Sequence, residues 1–464
     1  MGVSRIIVLG GGVCGLATGW LLARDGHAVT LLERDPGPVP DTPATAWEGW
    51  ERGGVRHFKQ PHGLQPRARM ILERELPDVV AACLAGGAEL ANPLDALPPT
   101  ITDRAPRPGD ERFVTLHVRR PVLEQALAQA AEDQPGLRVR RGIAAAGLIC
   151  AGMNGSTRVT GVRTDAGDEL YADLVVDAMG RGSRLPELLA DAGLAPGTAA
   201  SQQARFVYYT RYFRGPTPVF KAPRLSHVGT FSLLTLVGDN GTWSVTFYIA
   251  AGDRPLKRLR SAPAFTRVLS ALPRHAHWLE GEPITGVMPM AGVNDRLRAP
   301  APAPGLVAVA DAWGCTNPTL GRGIAVGLLH VLLLRDAVRE RLGDLHGLAA
   351  AYAERTDAEL GHFHRACLEN DRLRLAAMTA EREGRALPSP VTAAERAGTA
   401  LPAAMAFDAD LFRAGLEIIG CLAPAHEVMA RPGLAERALR IAGDRAGAPT
   451  GEPGRAELLE LLAA

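Results

Sequence analysis

Residues 5–33 read RIIVLGGGVCGLATGWLLARDGHAVTLLE. Arg5–Leu9 is a short β-branched run, the pattern of a buried strand. Ala28–Glu33 is a second such run. Between them the glycines fall at Gly10, Gly11, Gly12, Gly15 and Gly19. The spacing predicts a βαβ unit with GxGxxG at the strand-to-helix turn. Gly10 allows the tight turn, Gly12 lets a pyrophosphate approach the backbone, and Gly15 lets helix and strand pack closely. The amides of Val13, Cys14 and Gly15 open the helix and stabilise phosphate charge. Glu33 ends the second strand 21 residues after Gly12, where a carboxylate accepts from adenosine ribose hydroxyls, and Arg34 follows it. The motif implies a dinucleotide and leaves FAD and NAD both open.

The glycines also settle a competing reading. Residues 6–23 are 18 uncharged, mostly apolar residues, which a hydropathy window takes for a signal peptide or membrane anchor. No small-residue cleavage site follows, so no export and no membrane anchor are expected. Ile324–Leu334 is interrupted by His330 and reads as a buried helix.

Further along, residues 35–63 read as a long loop of the functional kind. Gln65–Gly86 reads as one helix, Arg112–Val118 as a strand and Arg120–Glu132 as a helix. Three strands are expected over Leu137–Met179, with Asn154-Gly155 as a turn signal. Residues 204–250 alternate as an antiparallel sheet, placing Tyr208 and Tyr212 on one face and Tyr209 and Arg211 on the other. Leu306–Ala310 reads as a buried strand. Past about 335 the chain reads as mostly helical, with linkers near 384–390 and 447–454.

Composition fits a soluble globular protein. The 464 residues are 47% hydrophobic, and 51 Lys+Arg balance 50 Asp+Glu for a net charge of +1. That balance gives no footprint for nucleic acid. The six cysteines form no CxxC pair, which argues against a disulfide scaffold, a zinc knuckle or a dithiol centre. Cys14 and Cys315 are expected to be packing residues, no metal is expected, and a reducing cytoplasm fits.

Two later segments repeat the strand-then-glycine arrangement. Ala172–Arg184 reads ADLVVDAMGRGSR, a buried strand ending in a turn that carries Asp177, Ser183 and Arg184. Gly305–Ile324 reads GLVAVADAWGCTNPTLGRGI. Its strand delivers Asp311 to a carboxyl end, and Pro318 leads to Gly321 and Gly323 at a helix start. An aspartate there can bond a ribitol hydroxyl, and the helix N-terminus favours an anionic ring.

Together the three segments resemble the FAD-binding motifs of the flavoprotein monooxygenases, the aromatic hydroxylases and epoxidases of the para-hydroxybenzoate hydroxylase fold. The match covers roughly residues 3–335. It departs in two places: Asp177-Ala178-Met179-Gly180 separates an Asp and Gly that are adjacent in the family, and Ala310 replaces the Gly before Asp311. The DAxGRGSR form is nearer the halogenase and geranylgeranyl-reductase branches.

The resemblance implies an α/β fold: a Rossmann-like FAD domain of the glutathione-reductase type, an inserted antiparallel-sheet substrate domain and a helical C-terminal extension. The expected FAD domain is 1–90, 111–200 and 283–335. The expected substrate domain is 91–110 and 201–282, with 336–464 as the helical region. Noncovalent FAD would be held by Gly10, Gly12, Val13, Cys14, Gly15, Glu33, Arg34, Arg120, Asp311, Pro318, Gly321, Gly323 and Ile324. His62, Arg205 and Tyr208 are the candidate catalytic residues.

The implied reaction is hydroxylation or epoxidation of a hydrophobic small molecule by O2, through a flavin C4a-hydroperoxide, plausibly in secondary metabolism. With no second GxGxxG in a βαβ setting, NAD(P)H would bind transiently or a separate flavin reductase would supply reduced flavin. The rivals are an FAD dehydrogenase or ene-reductase, a halogenase (no WxWxIP segment is present), and a non-catalytic FAD-binding protein.

Overall fold

A computed structural model describes residues 3–153, 156–202, 205–299, 303–386, 392–444 and 451–463. The turn Asn154-Gly155 lies outside the described residues, as do 387–390 and 447–450 of the expected linkers.

Strands β1 (Arg5–Leu9), β2 (Ala28–Glu33), β3 (Leu137–Arg141) and β4 (Leu174–Asp177) join Leu306–Ala308 in a parallel sheet. Its order is Leu306–Ala308, β4, β1, β2, β3. β1 and β4 are near-continuous Val, Ile and Leu because the sheet is covered on both faces. One face packs on helices α1 (Val13–Arg24), α2 (Arg120–Glu132) and α3 (Gly323–Arg341). The other packs on the strands 145–153 and 156–164 and the helix Leu185–Asp191. The carboxyl ends of β1, β2, β4 and Leu306–Ala308 carry Gly10, Glu33, Ala178 and Ala310. That edge is where an open α/β sheet binds its ligand.

The second sheet is antiparallel: β5 (Phe206–Arg214), β6 (Leu225–Val228), β7 (Phe231–Val237) and β8 (Thr242–Ala250) run in the order β6-β7-β8-β5. One face carries Tyr209, Phe213, Phe231, Leu233, Trp243 and Phe247 onto Phe265 and Leu269. The other carries Tyr208 and Tyr248 against Met378. The alternation predicted for Tyr208 and Tyr209 is therefore observed. The short strand Met288–Met290 pairs with β5, setting Met290 opposite Tyr208.

Several local expectations are corrected. The helix read over 65–86 is two, Pro66–Glu75 and Pro77–Ala85. Leu76 precedes a proline, which disfavours helical geometry there. Residues 137–179 hold five strands, because the turns at 142–144 and 165–168 cut the run. The 112–118 strand is only Thr115–His117, after a 3-10 turn at Asp110–Phe113. Leu306–Ala308 ends two residues early, because Ala310 turns at φ 55°.

The expected grouping of 91–110 with the antiparallel sheet is also corrected. Leu97 and Ile101 pack on Ala409, and Asp110 accepts from Arg413 at 2.6 Å. This segment docks on the C-terminal helices. Those helices are not a separate appendage: α4 (Leu345–Arg382) crosses to the antiparallel sheet, where Arg374 donates to Ser232 at 2.7 Å. Leu458 and Leu462 close that sheet's apolar face.

Candidate FAD and substrate site

The glycine loop is shaped by what its glycines meet. Gly10 has φ +104°, and a Cβ there would lie 2.6 Å from Ala178 O. A Cβ on Gly15 would lie 1.9 Å from Gly10 O. Gly12 differs: a Cβ there meets nothing within 4 Å. The loop thus closes on itself at Gly10 and Gly15 and stands open at Gly12, the residue that precedes α1. Val13, the first residue of α1, is buried at 4% exposure. Gly182 and Gly323, on the two later loops, are open in the same way.

Glu33 is buried at 4% exposure. Its Oε2 accepts from Gly11 N at 2.7 Å and Arg52 Nη2 at 2.6 Å, and its Oε1 accepts from Asp35 N at 2.8 Å. A carboxylate has about four lone-pair sites, so one on Oε1 stays open for a ribose hydroxyl. Sequence reasoning missed Arg52, which also donates to Asp35 at 3.0 Å and Glu124 at 2.8 Å. Burial works against its charge, and Glu124, Glu33 and Asp35 outweigh it, leaving its pKa raised. Arg34 is exposed and lies beside Gly54.

Arg120 opens α2 as expected. It donates to Glu124 Oε1 at 2.6 Å, and its Nη1 lies 2.8 Å from His57 Nε2 and 3.2 Å from His62 Nε2. Burial and the Arg120 cation push His62 down to about 3, and the same two causes hold His57 well below the usual imidazole range. Both rings are therefore neutral acceptors. With Nε2 accepting from Arg120, His62 carries its proton on Nδ1 and donates to Gln60 O at 2.7 Å. Both nitrogens of His62, the candidate catalytic residue of the 35–63 loop, are engaged, one with Gln60 O and one with Arg120.

The second motif is a structural knot. Asp177 accepts from Ser183 Oγ at 2.5 Å and from Met179 N at 2.9 Å, and Arg298 donates to Ser183 Oγ at 2.9 Å. Arg181 reaches across to Asn294 O at 2.6 Å and Thr316 O at 2.7 Å, tying this turn to the third motif.

In the third motif Asp311 is half-buried. Ala310 holds a left-handed φ of 55° where its N–H donates to His330 Nδ1 at 3.0 Å. His330 is fully buried, which pushes it down to about 3 and keeps it a neutral acceptor. Gly321 takes φ +62°, and Gln65 Nε2 donates to Leu320 O at 3.0 Å, joining this turn to residue 65. Pro318 is half-buried and Ile324 is buried below Gly323. A cavity of about 30 Å³ runs from Asp311 and Gly323 to His364 and Cys367 of α4, which is room for about one or two waters.

Burial raises Cys14 to about 12 and lifts Cys315 as well, so both are thiols rather than thiolates. Tyr208 is 4% exposed, and its hydroxyl donates to Asn317 Oδ1 and lies 3.1 Å from Thr319 Oγ1. The Tyr208 hydroxyl thus ties the antiparallel sheet to the turn that precedes α3. Arg205 is exposed ahead of β5, its carbonyl accepts from Ala251 N, and among the described residues its side chain has no hydrogen bond to the cluster. Among the described residues no group of three or more His, Cys, Asp or Glu could hold a metal, and no helix is long and apolar enough to cross a membrane.

Three open glycines on three loops, one spare carboxylate lone pair and a half-buried aspartate form a cradle that fits FAD. Residues 5–76 match the family model described as FAD dependent oxidoreductase. That match covers the first βαβ unit and the loop that follows it, and the fold has the architecture of the flavin monooxygenases of known structure.

Protein Rv3254 of Mycobacterium tuberculosis is 25% identical over 380 residues, 77% of each chain. Among solved structures, Pseudomonas aeruginosa PqsL in complex with 2-aminobenzoylacetate aligns at TM-score 0.61 and 14% identity, covering 82% of this chain and 98% of that one. The Diels-Alderase PyrE3 of pyrroindomycin biosynthesis aligns at 0.58 and 15%, covering 90% and 80%. The anhydrotetracycline hydroxylase OxyS of Streptomyces rimosus aligns at 0.56 and 15%, covering 91% and 76%. At these identities the likeness is one of fold.

Proposed function

We propose that the protein is an FAD-dependent monooxygenase that hydroxylates or epoxidises a hydrophobic small molecule, with O2 as co-substrate. The observation that carries this is the pattern of open glycines: Gly12, Gly182 and Gly323 leave space where Gly10 and Gly15 leave none. FAD is noncovalent, held by the α1 amides at Val13–Gly15, by Glu33 at its ribose and by Asp311 at its ribitol. Its electrons come from transiently bound NAD(P)H or from a separate flavin reductase. FAD supplies the redox and oxygen chemistry; the protein supplies binding, orientation and exclusion of water.

Within that division, Arg120 is a fixed cation between Glu124 and two neutral imidazoles, so it presents N–H donors without accepting a proton. The Gly323 end of α3 directs amides at developing negative charge. The buried sheet face carrying Tyr208, Thr210, Tyr212, Thr246 and Tyr248 suits an apolar aromatic substrate with a few polar groups; Thr210 and Thr246 bond each other at 2.9 Å. The FAD-binding part is 1–90, 111–200 and 283–335, the substrate part is built on 201–282, and the location is cytoplasmic.

The test is turnover under 18O2 with NADPH or NADH and an apolar aromatic panel. Incorporation of one 18O atom into product supports monooxygenation. Product oxidised without 18O would instead make it a dehydrogenase or ene-reductase.

A further inference from the structure

The long helix α4 lies outside the motifs that define the fold, yet it closes the small cavity beside the third motif. Asp311, Arg322 and Gly323 line that cavity of about 30 Å³ together with His364 of α4. His364 is 8% exposed, and its Nε2 has no hydrogen-bond partner. Arg322 is 7% exposed; its Nη2 donates to Ile418 O at 2.8 Å, while its Nε has no partner. The backbone oxygen of Asp311 accepts from Arg296 at 3.2 Å, and among the described residues its carboxylate accepts no hydrogen bond. Three polar groups therefore meet one cavity with bonds to spare, two of them on side chains more than nine-tenths buried.

We propose that this cavity is the site of one ordered water that bridges His364 Nε2, Arg322 Nε and the Asp311 carboxylate, which makes His364 a positioning residue for Asp311 and, through it, for the ribitol of FAD. The inference rests on the assignment of Asp311 to the ribitol made above.

Hydrogen-bond arithmetic fits one water to these three groups. Arg322 Nε carries an N–H and can only donate, whereas a carboxylate can only accept. A water accepts from the first, donates to the second, and keeps one proton and one lone pair for His364. Nε2 is therefore satisfied in either tautomer of the ring. Buried waters typically make about three bonds of this kind. The carboxylate has two oxygens, so the one turned to the water leaves the other for the ribitol.

The walls argue against other occupants. The volume is too small for an organic molecule. A small anion would meet the Arg322 cation but also the Asp311 carboxylate, and like charges at that range repel. A cation would meet Arg322 in the same way, and among the described residues no group of three or more His, Cys, Asp or Glu could hold a metal. A dry cavity would leave two buried polar side chains without a partner, which folded proteins avoid. Trp313, Leu360 and Phe363 supply apolar wall, and hydrogen bonds made in such low-dielectric surroundings are strengthened.

The helix α4 thereby acts on the flavin site through a single water. His364 fixes the water, the water fixes the rotamer of the carboxylate, and the carboxylate meets the ribitol. Removing the imidazole releases the water and lets Asp311 turn. The whole effect of His364 on FAD binding then passes through Asp311.

The experiment is a double-mutant cycle in FAD affinity on the full chain: wild type, His364→Leu, Asp311→Ala and the double variant, with the dissociation constant read by fluorescence quenching of FAD. His364→Leu should weaken FAD binding about fivefold, the equivalent of one hydrogen bond. The double variant should bind no more weakly than Asp311→Ala alone, because the route through Asp311 is already gone. His364→Gln, which can still bond the water, should stay within about twofold of wild type. Additive losses in the double variant would overturn the proposal, as would wild-type affinity in His364→Leu. A crystal structure of the wild-type protein tests the water without any variant. It should show one water within hydrogen-bond distance of all three atoms, and crystals grown in bromide should show no anomalous peak there. A bromide peak, or no water, would overturn the proposal. A wild type that binds no FAD would overturn the FAD reading, and the positioning role with it, even with the water in place. Failure to oxygenate any substrate would count against monooxygenation alone.

Discussion

The two ends of the cleft are built from opposite materials. At the proposed adenosine end, Arg52 is buried among three carboxylates, Glu33, Asp35 and Glu124, and is flanked by Trp50 and Phe58. Each of these carboxylates is ion-paired to Arg52. At the proposed ring end the groups are neutral: two imidazoles held uncharged against Arg120 and a buried phenol. A matched ion network is costly to disturb and fixes geometry. Neutral imidazoles beside a buried cation stay unprotonated, because burial and the Arg120 charge both oppose a second positive charge. One end is fixed by paired charges and the other by neutral hydrogen bonds to a single cation.

Removing one member of the ion network should have the largest effect. Glu124→Ala strips a fully buried carboxylate from both Arg52 and Arg120. The loss should be about 3–5 kcal/mol, the usual result of leaving a buried charge unpaired, read by urea denaturation. A loss under about 1 kcal/mol would mean that water reaches the network.

Glu33→Ala comes next and reads binding rather than folding. It should weaken FAD affinity by about 1–3 kcal/mol, from the lost ribose bond and the freed Gly11 amide. Titration of flavin-free protein with FAD measures it. Unchanged affinity would remove Glu33 from the ribose.

The imidazoles sharpen the contrast at the ring end. Folded pKa values lowered by burial and Arg120 mean the unfolded chain takes up protons first. Stability should fall as pH drops below about 6.5, the unfolded histidine value, while the folded rings stay neutral. Histidine ring NMR signals of His57 and His62 should not titrate between pH 8 and 5. A midpoint near 6.5 in either ring would break the account of Arg120.

The smallest effect belongs to Ala310, held at φ 55° where the resembled family has glycine. Ala310→Gly relieves left-handed strain, so it should raise stability by about 0.5–1 kcal/mol, visible as a small rise in Tm. A fall would show that packing of the Ala310 methyl outweighs the strain.

These contrasts also show what the sequence could reveal. The first βαβ unit, Glu33 and the Gly321–Gly323 turn were legible because their signals are local: strand, glycine spacing and helix follow within 30 residues or so. The Arg52–Glu124 pair is separated by 72 positions, and no spacing links a loop arginine to a helix glutamate. One signal was present. Glu124 interrupts the apolar face that Leu123 and Leu127 define on α2, and a buried glutamate needs a partner. The break at Leu76 was readable from Pro77.

The central claim is that the open glycines cradle FAD, with the start of α3 at its ring. The most direct measurement is the flavin content of the purified protein and of Gly323→Val, with release by acid precipitation. The account predicts about one FAD per chain, all released into solution as FAD, and a folded Gly323→Val variant that has lost the flavin or holds it at a lower reduction potential. A colourless wild-type protein that binds only NAD, or a variant with unchanged occupancy and potential, would contradict it.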